Sequence, residues 1–149
     1  MGGQVYGVTN PRFVEAYAEY ALASAAMVSR RPTSLTYIEA SSVPVIAVTA
    51  WQALFDQAHL KAGQTVVIHG AAGNVGAYAV QLARRAGVRT IATAGTDDIP
   101  FLRNLDANTV LDFQTQRFEE EVRDADAVID LVAAKHKRVR FRSAVEAAS

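Results

Sequence analysis

The chain has 149 residues, half of them apolar, and fifteen Lys and Arg balance fifteen Asp and Glu. That length can bury one sizeable core, or one domain plus part of another, and the charge balance gives no electrostatic case for nucleic acid or a membrane surface as partner. With no cysteine, disulfide and thiolate chemistry are excluded; with no long uncharged apolar run or secretory pattern, no membrane is expected and the cytoplasm is the default location.

In chain order, Gly2-Gly3 leads into the short apolar run Val5-Tyr6, and Asn10-Pro11 marks a turn. Phe13 to Met27 is alanine-rich, which favours a helix, yet its spacing also permits extended chain. Arg30-Arg31-Pro32 breaks the pattern, and Thr36 to Ser41 reads as a helical turn capped near Ser34 or Thr36. From Val43-Pro44, residues Val45, Val48, Trp51, Leu54, Phe55 and Ala58 recur at helical spacing, with Trp51 and Phe55 as core anchors and Gly63 suited to the C-cap.

Next comes the stretch on which the function rests, Gln64 to Arg85. The run Thr65 to Ile68 predicts a strand, Gly70 to Gly76 a tight turn, and Val75, Ala79, Val80, Leu82 and Ala83 the apolar side of a helix. Strand, glycine turn, helix is the order of a dinucleotide-binding unit, in which backbone approaches a diphosphate closely at a helix's positive end. Aligned on G-x-G-x-x-G, Ala71 stands for the first glycine while Gly73 and Gly76 keep the other two.

Gly87 suits the C-cap of that helix, and Val88 to Ala94 is a second strand. Thr96 to Pro100 resembles a cap with acidic first-turn residues, opening a short helix through Leu102 and Leu105. Thr109 to Phe113 is a third strand, Thr115 caps a helix carrying Phe118 and Val122, and Asp126 to Val132 is a fourth strand. Alternating strands and helices predict a parallel Rossmann-like α/β sheet of order 3-2-1-4, with ligand at the switch between strands 1 and 4. An Asp or Glu about 20 residues past the glycines would hold the ribose diol of NAD. Ala94-Gly95-Thr96 occupies that place instead, so NADP is favoured over NAD. The isolated histidines His59, His69 and His136 lack metal-ligand spacing, and no zinc is expected.

Gly3-Gln4-Val5-Tyr6-Gly7, Ala16 to Tyr20, Val43-Pro44, Thr49 to Leu54, His69 to Gly76 and Val128 to Val132 together resemble the quinone oxidoreductase branch of the medium-chain dehydrogenase/reductase superfamily. Those zinc-independent relatives include zeta-crystallin. The resemblance implies that Phe13 to Met27 belongs to the last strands of a GroES-like domain, which turns the open reading there to strand. It further implies that Thr49 lies on the nicotinamide side, that Ala72, Gly73, Asn74 and Val75 lie against the diphosphate, and that Gly95 and Thr96 border the 2′-phosphate. Phe113 would flank adenine, and Leu131 and Val132 would edge the crevice. The expected organisation is a GroES-like remnant over 1–35, a partial NADP-binding domain over 36–132 and a non-family tail over 133–149.

Two departures stand out. Asp106 sits where relatives carry glycine, at a cost of about 1 kcal/mol if the residue is left-handed. The tail from Ala133 differs from the family's G-G-E-T-Q, and reading GGC GGC GAA ACA CAA from its second base gives GCG GCG AAA CAC AA-, which fits Ala133-Ala134-Lys135-His136-Lys137, so a frameshift is expected there. The implied activity is NADPH-dependent hydride transfer to a small quinone or enone, with no residue committing as acid, base or nucleophile. The alternatives are a truncated NADP-binding fragment and a non-catalytic structural relative. Without further strands, 128–132 would be an open apolar edge prone to self-association.

Overall fold

The structure is a computed structural model describing residues 2–10 and 18–132; the expectations for 13–17 and for the tail lie outside the described residues. Two compact units divide the chain, Met1–Val48 and Thr49–Ser149.

In the first unit, strands β1 (Val5–Gly7) and β2 (Val28–Arg30) pair antiparallel in the register Val5↔Arg30 and Gly7↔Val28. Two bonds extend the ladder, from the Val8 amide to the Met27 carbonyl at 3.2 Å and from the Arg31 amide to the Gln4 carbonyl at 3.0 Å. A Cβ on Gly7 would lie 2.8 Å from Val28 Cα, so glycine permits this approach. The strand expected over Phe13 to Met27 is corrected where it can be seen: Ala18 to Met27 holds no strand, and Ala25–Met27 is a 3-10 turn. There the Ser24 hydroxyl accepts from the Ala26 amide and the Ser24 carbonyl from the Met27 amide, local bonds that close the turn. Helix α1 (Tyr37–Ser42) opens on a complete capping box. The Thr36 hydroxyl accepts from the Glu39 amide, and the Glu39 carboxylate accepts from the Thr36 amide at 2.8 Å. The Thr36 amide, and then the Thr36 hydroxyl, donate to that carboxylate, which favours its ionised form and lowers the Glu39 pKa.

Helix α2 (Pro44–Trp51) runs on as a π-helical turn, Gln52–Gln57. Its end falls earlier than Gly63: His59 is left-handed with φ 50°, and the Leu60 amide reaches back to the Leu54 carbonyl at 3.1 Å. Gly63, φ 89°, instead shapes the turn into the next strand, its amide donating to the Gly87 carbonyl. Leu54 is fully buried and Phe55 packs against the core, but Trp51 is 51% exposed with its ring edge on Phe55, so it is no core anchor.

Four parallel strands follow, β3 (Thr65–His69), β4 (Arg89–Ala94), β5 (Thr109–Asp112) and β6 (Ala127–Asp130), in the order β5-β4-β3-β6. This is the expected 3-2-1-4 sheet. Strand pairs Val66↔Thr90, Ile68↔Ala92 and Ile68↔Ile129 set one face, which packs with Ala79, Val80 and Ala83 of α3 (Asn74–Arg85) and Leu102 of α4 (Ile99–Asn104). At about 25 cal/mol per Å² of apolar surface removed from water, burial of these side chains is what holds the crossover helices to the sheet.

Helices α3 and α4 each end in a Schellman motif. Gly87, φ 72°, follows α3, with the Val88 amide bonded to the Ala83 carbonyl; Asp106, φ 59°, follows α4, with the Ala107 amide bonded to the Leu102 carbonyl. The condition for the Asp106 penalty is therefore met, and its carboxylate pairs with Arg84. Two expected caps are corrected. The Thr96 hydroxyl turns to Asp112, leaving Gly95 before a 3-10 turn, and Arg117 rather than Thr115 precedes α5 (Phe118–Glu121), without a side-chain bond.

Candidate functional site

Because all four strands are parallel, their carboxyl ends share one edge of the sheet, and the chain turns in opposite directions on leaving β3 for β4 and β5 for β6. Nine of the ten predicted binding residues follow those ends: Ala72, Gly73, Asn74 and Val75 after β3, Gly95 and Thr96 after β4, Phe113 after β5, and Leu131 and Val132 after β6. Thr49 is the exception, exposed on α2.

The loop after β3 is built for close approach. Gly70 makes the turn with φ 70°, so it, and not Ala71, does the work of the first glycine; Ala71 is buried, its amide bonded to the Thr93 carbonyl at 3.3 Å. A Cβ on Gly76 would stand 2.6 Å from both Cα and the carbonyl oxygen of Ala71, so only glycine lets the start of α3 lie on the loop. Gly73 is the N-cap and, having no side chain, supplies no cap bond. The first backbone bond into α3 runs from Ala77 to the Gly73 carbonyl at 2.8 Å, which leaves the amides of Asn74, Val75 and Gly76 without an intrahelical acceptor. No acidic side chain stands in that first turn, so the positive end of the helix dipole is not neutralised locally. An anionic group fits this cradle.

His69 ties the loop to its neighbours. Its Nδ1 lies 2.9 Å from the Thr93 hydroxyl, its carbonyl accepts from the Leu131 amide at 3.2 Å, and Phe118 meets its ring edge-on at 4.5 Å. Burial lowers the His69 pKa, while the charges of Asp130 and Glu119 pull it upward. Leu131 and Val132 close the loop from β6, with Val132 Cγ2 2.9 Å from where a Gly70 Cβ would stand.

At the end of β4 no carboxylate faces outward from Ala94-Gly95-Thr96. The nearby Asp112 is 5% exposed and committed: it accepts the Thr96 hydroxyl at 2.6 Å and the Gln114 amide at 2.9 Å. Phe113, 64% exposed, and the Gln114 side chain stand over Gly95. Sequence reasoning placed Gly70 and Gly76 in the turn but missed His69, Asp112 and Gln114 as parts of the site. The Asp112 knot had no local signal, because it depends on the β4–β5 register. Among the described residues, no group of three or more His, Asp or Glu is placed to hold a metal ion.

A glycine-turn helix start at the switch point of a parallel sheet defines a Rossmann-like unit. No protein-family model matches the chain. It is 43% identical over 82 residues to the quinone oxidoreductase of Pongo abelii, covering 55% of this chain and 25% of that protein. It is 39% identical over 117 residues to the phenolphthiocerol synthesis polyketide synthase Pks15/1 of Mycobacterium bovis, covering 73% of this chain and 6% of that one. The solved quinone oxidoreductase of Coxiella burnetii superposes with a TM-score of 0.82 at 37% identity, over 90% of this chain and 43% of that chain. The chain therefore belongs to the medium-chain dehydrogenase/reductase superfamily, with quinone oxidoreductases and enoyl reductases among its homologues. It spans less than half the length of each of these relatives.

Proposed function

We propose that residues 65–132 bind a nicotinamide dinucleotide, NADP(H) in preference to NAD(H), for hydride transfer to a quinone or other conjugated carbonyl. The observation that carries this reading is the set of open amides at Asn74, Val75 and Gly76 behind a side-chain-free cap at Gly73. Those amides would hold the diphosphate, with Gly95 and Thr96 at the adenosine ribose and Phe113 beside adenine. Once bound, the cofactor supplies the hydride; the protein's part is position and electrostatics. The preference for NADP(H) rests on the strand end Ala94-Gly95-Thr96, where the nearest buried carboxylate is already bonded. A conjugated carbonyl is common to quinones and to the enoyl substrates implied by the homologues' names. No acid, base or nucleophile is assigned. Localisation in the cytoplasm and the absence of zinc are part of the same proposal; no helix among the described residues is long and apolar enough to cross a membrane.

The test is Gly73→Asp. Backbone angles of φ −71° and ψ 169° suit an aspartate N-cap, whose carboxylate would accept the open amides and repel a diphosphate. NADPH fluorescence titration should show binding by the wild-type chain and loss of at least tenfold in affinity in the variant, with its thermal midpoint equal or higher. Equal NADPH affinity in both proteins would refute the cradle; no affinity in the wild type would favour a purely structural role. Self-association is assigned to β6, an edge in the described sheet whose Val128 is 42% exposed. Sedimentation of Val128→Lys should then show less association than wild type.

A further inference from the structure

The chemistry that would distinguish a 2′-phosphate from a 2′-hydroxyl has no obvious owner in this chain, since no Arg or Lys follows β4 directly. The geometry points to Gln114, a residue on the following strand's loop, as the specificity determinant, an assignment that rests on the dinucleotide reading above.

Gln114 is placed by two hydrogen bonds. Its amide donates to Asp112 Oδ1 at 2.9 Å and its Oε1 accepts from the Thr96 hydroxyl at 3.2 Å, which leaves its Nε2 3.5 Å from where a Cβ on Gly95 would stand. The single hydroxyl hydrogen of Thr96 is shared between Asp112 Oδ2 at 2.6 Å and Gln114 Oε1 at 3.2 Å. Thr96 therefore presents an oxygen lone pair and has no hydrogen left to give an anion. Asp112 itself is buried, with its amide donating to Gln116 Oε1 at 3.0 Å, so its carboxylate is a strut between the two loops and no ribose ligand. What remains over Gly95 is the carboxamide of Gln114, whose two N–H groups are donors at the position where an NAD-selective protein places a carboxylate acceptor. A glycine at 95 leaves that carboxamide unobstructed. Asp112 and Thr96 act as positioning residues for it.

The experiment measures dissociation constants of the full chain for NADPH and NADH by fluorescence titration, for wild type, Gln114→Glu and Gln114→Ala. Side-chain amide resonances of Gln114 are followed by NMR on adding adenosine 2′,5′-bisphosphate or 5′-AMP. Gln114→Ala should lower the NADPH preference about tenfold, the loss of one charge-assisted hydrogen bond. Gln114→Glu should reverse the preference, because a carboxylate repels the phosphate and accepts from the ribose diol. The Gln114 amide should shift with the bisphosphate and not with 5′-AMP. If both nucleotides bind all three proteins with an unchanged ratio, the assignment to Gln114 is overturned while the cradle stands. If the wild-type chain binds neither nucleotide, the dinucleotide reading and this assignment fall together.

Discussion

Replacing Gly76 by alanine isolates the contact that sets α3 on its loop. The added Cβ would lie 2.6 Å from Cα and from the carbonyl oxygen of Ala71, and nearer still to the Gly70 carbonyl oxygen, all of them backbone atoms. Ordinary carbon contacts are about 3.5–4.0 Å, so the helix start must withdraw by roughly 1 Å. Overpacking of this kind costs about 1–3 kcal/mol, and the better helix propensity of alanine returns up to about 1 kcal/mol. A net loss of about 1–2 kcal/mol follows, or a fall of about 5–15 °C in thermal midpoint for a small domain. Gly73→Ala is the control: its Cβ would meet only the Gly70 carbonyl oxygen, at 3.3 Å, and φ is −71°, so a change below about 0.5 kcal/mol is expected. Urea unfolding followed by circular dichroism reads both, as a shift in midpoint at constant m-value. A Gly76→Ala protein as stable as Gly73→Ala would show that α3 does not rest on this contact.

At Asp106 two opposing terms separate by substitution. Gly removes the left-handed penalty of about 1 kcal/mol, while Asn keeps a side chain that tolerates that conformation and removes only the ion pair with Arg84, both partners more than half exposed. Asp106→Asn should lose about 0.2–1 kcal/mol and Asp106→Gly should be the more stable of the two in urea; the reverse order would place the stabilisation in the ion pair. His69 should make stability depend on pH below about 6.5. Burial lowers its folded pKa beneath the unfolded value, so as pH falls the unfolded chain takes up the proton first. Stability is thus complete above the unfolded pKa and declines toward the folded one. His69→Gln should flatten that part of the urea-midpoint profile against pH, and an unchanged slope would assign it to other groups.

Local sequence determined the elements that need only neighbours along the chain. Strand, glycine turn and helix between Thr65 and Arg85, the left-handed stop at Gly87 and the capping box at Thr36 all follow from periodicity and from residues a few positions apart. Even the parallel order was legible, because alternating strands and helices allow few crossovers. Where sequence reasoning went astray, a distant partner outbid the local one. Thr96 has the chemistry of an N-cap, but a buried carboxylate on β5 lies 2.6 Å away and takes its hydroxyl. Trp51 has the spacing of a core residue, yet its ring is half exposed beside Phe55. Ala71 fitted the glycine alignment, while the backbone makes its turn one residue earlier, at Gly70. Asp112 and Gln114 became visible as parts of the site only in the folded chain, since the Ala94↔Asp112 pairing brings them to Gly95 and no local pattern encodes a strand register. Sequence alone thus determined which backbone forms the cradle, and tertiary structure decided which side chains surround it, because hydrogen-bond partners across a sheet depend on register and not on distance along the chain.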